Sequence, residues 1–186
     1  MPNSRQVFLI LASDIAGLKV VRWWRDTKKI MAQYKYEIFA DYFQFYLQDE
    51  DVDGNLSDSW TKEAVDNLLA LAPGTIGIGT ARNMTVPVTV EILDSALDKD
   101  DLSIWDQVNE CSIEVGSGRI VIAGCTDYFP EAARISVTPG MYRARIYYGN
   151  LESLRNYGSE GDDHYKVVLW PAEFIEQKYL KQHKST

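Results

Sequence analysis

The chain is poor in the residues on which most enzymatic chemistry rests. It has two histidines, His164 and His183, and two cysteines, Cys111 and Cys125, among 186 residues. A Ser–His–Asp triad would have to use His164, in EGDDHYK. Asp162 and Asp163 adjoin it, but no serine stands on a nucleophile elbow. His164, beside Tyr165 at the start of an apolar strand, reads instead as a hydrogen-bonding residue at the rim of the fold. Cys111, Cys125 and His164 lack the paired spacing of a zinc set. The glycines of GTIGIGTAR precede a strand, which excludes a phosphate-binding loop. The expectation is a non-catalytic protein with no metal and no cofactor.

Long apolar runs are also missing, which excludes a spanning helix. VFLILA, residues 7–12, is too short for a signal peptide, runs into Asp14 and has no small-residue cleavage site. This predicts a cytoplasmic protein. Cys111 and Cys125 flank an expected hairpin at Gly116-Ser117-Gly118, so they can lie near each other across two strands. Without a secretory signal, buried free thiols are favoured over a disulfide.

Positive charge is scarce and unevenly placed. The net charge is -8, yet residues 1–30 hold six bases and two acids, a net +4, leaving -12 on the rest. An acidic body argues against direct nucleic-acid binding, because phosphate contacts need Lys and Arg. It suits a basic protein partner, or solubility alone. Residues 13–30 can form an amphipathic helix through Ile15, Leu18, Val21 and Trp24, for which membrane-surface binding is conceivable. The preferred reading makes residues 1–30 a basic appendage outside the native fold, with an ordinary start at Met31 and one domain over 31–186.

What is present is β structure. YKYEIFADYFQFYLQ alternates with period two, placing Phe43, Phe45 and Leu47 on one face and Tyr42, Gln44, Tyr46 and Gln48 on the other. Further strands are expected at 75–81, 85–93, 108–115, 119–125, 133–138, 141–148 and 164–172. Turn signals separate them at Arg82-Asn83, Asp98 to Asp101, Gly116 to Gly118, Pro139-Gly140 and Gly158 to Gly161. One main helix is expected near 59–72, capped at Asp58 or Ser59 and stopped by Pro73-Gly74. A short helical turn is expected after Trp170. These elements predict a mainly β fold, an antiparallel β-sandwich with one main α-helix. Trp60, Trp105 and Trp170 read as packing residues. Arg143 and Arg145 share one strand face, either a binding surface or a solvated face with neighbouring acids.

DEDVDGNLSDSW, residues 49–60, opens like a calcium loop, with Asp49, Asp51, Asp53 and Gly54 in register. The twelfth position, however, is Trp60, which has no oxygen to offer in place of the bidentate Glu. The upstream flank reads as strand where an EF-hand needs helix. An acidic recognition loop or a solvated turn is preferred.

Several segments together resemble the competence protein J (ComJ) family: WTKEAV (60–65) before a glycine-rich strand, RNMTVPVTVEI (82–92), PGMYRARIYY (139–148) and LWPAE (169–173). The likeness runs in order over roughly residues 38–173. It implies a β-sandwich and inhibition of a DNA-entry nuclease, of competence or immunity type, and it assigns no inhibitory residue. A nuclease grips DNA with cationic groups, so an acidic body can dock there. The partner-binding residues expected on this basis are Asp49, Asp51, Asp53, Asp162 and Asp163, all placed in exposed turns. A rival reading is a module binding carbohydrate or lipid through Tyr42, Tyr46, Tyr147 and Tyr148.

Overall fold

Alternation builds most of this protein. In β5 (Thr85–Leu93) the even-numbered residues Val86, Val88, Val90 and Ile92 are buried, while Thr85, Pro87 and Thr89 face outward. β-Branched side chains suit this pleated, half-buried geometry. The same pattern recurs in β9 (Gly140–Gly149) and β10 (His164–Pro171). The computed structural model describes residues 30–97 and 100–183. The basic leader through residue 29, with its amphipathic reading, lies outside the described residues. So do residues 98 and 99 of the Asp98–Asp101 turn and the last three residues of the tail.

The other strands are β1 (Ile30–Phe39), β2 (Gln44–Asp49), β3 (Leu69–Ala72), β4 (Thr75–Gly79), β6 (Gln107–Val115), β7 (Arg119–Gly124), β8 (Ala133–Ser136) and β11 (Lys178–Lys181). They form two sheets, ordered β1-β5-β10-β9-β6-β11 and β3-β4-β2-β7-β8. The fold is a mainly β sandwich, as the strand pattern predicts. Phe45, Leu47, Ile76 and Ile78 from one sheet meet Val88, Ile146, Val167 and Leu169 from the other. Each such burial contributes about 1.5–3 kcal/mol. Both outer faces carry smaller apolar layers. Leu97, Leu102 and Trp105 cover Tyr147, Val168 and Trp170 on the first sheet. Leu56, Ala64 and Trp60 cover Ala70 and Tyr46 on the second.

The structure corrects four expectations. The helix is α1 (Lys62–Asp66), five residues long, and its N-cap is Thr61, whose side chain accepts the Ala64 N–H at 3.2 Å. Leu69 to Ala72, expected as its second half, form β3 and pair with β4. Leu68, at φ 53, breaks the helix, and Pro73-Gly74 closes a two-residue hairpin with Gly74 at φ 64. Second, although the antiparallel sandwich itself is as expected, one strand pair within it departs from that pattern, because β5 and β10 run parallel. Third, the Gly116–Gly118 turn is not a hairpin. It carries the chain from β6 in one sheet to β7 in the other, so Cys111 and Cys125 sit in different layers and both are free thiols. Burial pushes the Cys111 thiol far above its ordinary range. Fourth, the segment after Trp170 forms the edge strand β11 on β6 in place of a helical turn.

Candidate partner-binding site

The five expected contact residues divide by burial. Asp51, Asp53 and Asp162 are exposed. Asp49 and Asp163 are not: they keep 2% and 0% of their accessible surface, which corrects their placement in exposed turns. Asp49 ends β2, where its carboxylate accepts the Asp51 N–H at 2.9 Å and both the N–H and hydroxyl of Ser117 at 2.8 Å. It therefore ties the acidic loop to the β6–β7 crossover. The loop is closed from inside by Gln48, whose side-chain amide donates to the Val52 carbonyl at 2.8 Å. Gly54, at φ 67, leaves room for Gln48, since a Cβ there would lie 2.0 Å from its Oε1.

Trp60, at the position where a calcium loop needs Glu, lies against Gly77. A Cβ on that glycine would come within 2.8 Å of the indole and 2.6 Å of Leu56. The stretch 49–60 is thus a cover for the outer face of β4, with Leu56 and Trp60 as its apolar underside.

Burial pushes the Asp49 carboxyl up, but the hydrogen bonds from Ser117 and Asp51 outweigh it and hold it below the usual Asp value. A lowered native pKa contributes stability that is present above the unfolded value and lost as pH falls through the folded one. Asp49→Ala should cost about 1–3 kcal/mol at neutral pH, because three donors lose their acceptor. The gap from wild type in thermal melts should narrow at acidic pH; a pH-independent gap would mean the carboxylate charge is not the cause.

Asp163 immediately precedes β10 and lies 2.6 Å from the Arg82 guanidinium in the β4–β5 turn. It also accepts the Tyr165 hydroxyl at 2.9 Å, while that hydroxyl oxygen accepts the Ala81 N–H at 2.7 Å. This is an internal latch between two strand ends. The exposed Asp162 pairs with exposed Arg155 at 3.2 Å, a contact of little stabilising value.

The same habit extends to every arginine after residue 30. Arg119 and Arg134 hold Glu50, Arg143 and Arg145 hold Glu110, and Arg82 and Arg155 hold Asp163 and Asp162. Arg143 and Arg145 therefore form a paired face with neighbouring acids, and Arg145 also lies 5.4 Å over the Trp170 ring. Positive charge in the body is largely neutralised from within. The exposed, unpaired charge that remains is mostly carboxylate, on Glu37, Asp51, Asp53, Asp94 and Glu131 among others.

The sequence pattern missed the turn between β1 and β2. FADYFQF looks like continuous strand, but Tyr42 and Phe43 adopt φ 56 and φ 60. This left-handed conformation is costly for residues with a Cβ. Both rings face solvent, at 69% and 53% exposure. Backbone bonds hold the turn: Phe43 N–H to Ala40 carbonyl at 3.0 Å, Ala40 N–H to Met84 at 3.1 Å and Thr80 N–H to Phe43 at 2.8 Å. Beside it lies an apolar pocket of about 490 Å³, walled by Tyr42, Phe43, Trp60, Val65 and Leu68.

Leu68 is the third left-handed residue here, at φ 53. Its carbonyl accepts the buried Tyr148 hydroxyl at 2.7 Å and the Gly79 N–H at 3.0 Å. Asn109 and Gln107 donate to the adjoining Asn67 carbonyl at 2.8 Å and 2.5 Å. The pocket wall is thus set by polar groups reaching from the opposite sheet. The signal in the sequence was Asp41 interrupting a run of aromatics, which a strand has no use for.

The expected tyrosine platform does not form. Tyr147 and Tyr148 are buried and Tyr46 lies under the outer layer, leaving Tyr42 alone exposed. His164 packs 5.3 Å from the Trp105 ring, with Nδ1 3.2 Å from the Asp162 carbonyl oxygen, which fits a rim residue. Among the described residues no helix is long and apolar enough to cross a membrane.

No protein-family model and no curated protein sequence matches the chain. Two solved structures are similar in fold. One is crocagin biosynthetic gene J, with 21% identity and a TM-score of 0.51, over 77% of this chain and all of that one. The other is ComJ from Bacillus subtilis, described as an inhibitor of the DNA-degrading activity of NucA. It aligns over 78% of this chain and 98% of its own, with a TM-score of 0.58 and 17% identity. The chain thus has a ComJ-like fold.

Proposed function

We propose that this chain is a non-catalytic protein inhibitor of a basic, DNA-degrading nuclease, acting in the cytoplasm through its acidic body. The observation that carries this reading is the internal commitment of every arginine after residue 30, which leaves a carboxylate-rich exterior. Such a surface repels nucleic acid and attracts the cationic cleft with which a nuclease holds it. The ComJ-like fold supports the reading, since that neighbour is described as a nuclease inhibitor. Free thiols suit a reducing compartment. Of the acids first singled out, Asp51 and Asp53 are exposed and add to the general field, Asp162 is exposed but paired with Arg155, and Asp49 and Asp163 hold the loops that carry them.

The test is DNA degradation by a basic, DNA-degrading nuclease from the same organism, with and without the purified chain. Inhibition at near-equimolar ratio is expected, with association slowing as salt rises because screening shortens the reach of charge. Unimpeded degradation in excess protein would refute the reading. Salt-independent association would retain inhibition but remove electrostatic steering.

A further inference from the structure

The turn from Phe39 to Gln44 is a ridge with a different depression on each side. On one side is the apolar pocket walled by Tyr42, Phe43, Trp60, Val65 and Leu68. On the other is an opening of about 440 Å³ lined by Glu37, Phe39, Asp127, Tyr128 and Glu131, at the gap between β1 and β8. Tyr128 is 69% exposed and stands beside two of these three carboxylates. Phe39 and Met84 add further exposed apolar surface along the crest.

The ridge departs from ordinary folding economy in two ways. Tyr42 and Phe43 hold left-handed backbone, which only the surrounding hydrogen bonds sustain, and they show their rings to water. Strained backbone of this kind concentrates at binding sites. Aromatic anchors beside charged groups are the make-up of a protein–protein hot spot.

Resting on the proposed inhibitor function, we infer that the Phe39–Gln44 ridge, and not the 49–53 loop, is the docking surface for the nuclease. The occupant is a cationic segment of that partner. One apolar side chain enters the pocket against Phe43, and a Lys or Arg next to it enters the acidic opening, where Glu37, Glu131 and the Tyr128 ring receive it. Charge complementarity selects this occupant: the opening presents three carboxylates, and a guanidinium also binds an aromatic face. A fatty chain would fill the pocket but leave the acidic side without a counter-charge. An acidic peptide would be repelled.

The variants are Phe43→Gly, which keeps the left-handed turn and removes the ring, and the pair Glu37→Gln with Glu131→Gln. Asp51→Asn with Asp53→Asn is the control on another acidic loop. Two probes are used. The first is a basic, DNA-degrading nuclease from the same organism. The second is a synthetic peptide alternating lysine with leucine and phenylalanine, with its glutamate-for-lysine counterpart, followed by backbone amide shifts. Phe43→Gly should weaken nuclease binding about tenfold or more, as loss of a central anchor does. The Glu37/Glu131 pair should weaken it severalfold and flatten its salt dependence, while the control stays within about twofold. Full-strength binding by Phe43→Gly, with the thermal midpoint kept, would overturn the docking surface and leave inhibition standing. If wild type does not bind the nuclease, the inhibitor reading fails and the peptide decides the surface. Shifts confined to residues 39–44 and 127–131, absent with the glutamate peptide, would support it; shifts elsewhere or none would overturn it.

Discussion

Asp163→Ala should destabilise the fold by about 3–5 kcal/mol, a loss of the size expected when one partner of a buried ion pair is removed. The Asp163 side chain keeps none of its surface, the Arg82 side chain is 12% exposed, and the two are 2.6 Å apart. Removing Asp163 leaves that guanidinium without its counter-ion and the Tyr165 hydroxyl without its acceptor. Arg82→Met should cost a similar amount, for the mirror-image reason. The double variant Arg82→Met with Asp163→Leu should recover a large share of the loss, because no buried charge is then left unpaired. Urea denaturation of the four proteins measures this. A cost below about 1 kcal/mol for Asp163→Ala would mean that water reaches the pair. The consequence for function is direct: a charge-neutralising change at Asp162 and Asp163 together would read out folding at the second position and surface charge at the first.

Phe45→Ala should cost about 3–5 kcal/mol, as truncation of a fully buried aromatic does. The ring has no exposed surface and packs edge-on to Tyr165 at 5.8 Å between centroids. Phe43, two residues earlier, should behave in the opposite way. Its ring is 53% exposed and its backbone left-handed, so Phe43→Gly should leave stability unchanged or raise it by about 1 kcal/mol through relief of strain. Chemical denaturation of both variants tests the contrast. Equal losses would show that Phe43 belongs to the core and that the ridge is not a free surface.

The pair also shows where the sequence stops being legible. Alternation in FADYFQFYL places Phe43, Phe45 and Leu47 on one face, and for Phe45 and Leu47 that is correct. Period two reports a side chain's face only while the strand continues. At Ala40 the chain leaves one sheet and at Gln44 it enters the other, so the register is reset. The same reset explains the helix that becomes a strand. LLALA has the composition of a good helix former, yet an exposed partner edge on β4 and the break at Leu68 make ladder pairing the better use of its backbone.

Composition and periodicity alone determined that this is a mainly β protein with an acidic body, and most of its strand positions, because burial of alternate side chains is a local rule. The tertiary structure decided the rest: which strands pair, that Gly116–Gly118 crosses between sheets, and which carboxylates face solvent. Asp49 and Asp163 look like Asp51 and Asp162 in the sequence. They differ only because Ser117, from a distant crossover, and Arg82, from a distant turn, arrive to hold them. Burial of a charge depends on a partner supplied from elsewhere in the chain, and a linear pattern does not carry that information.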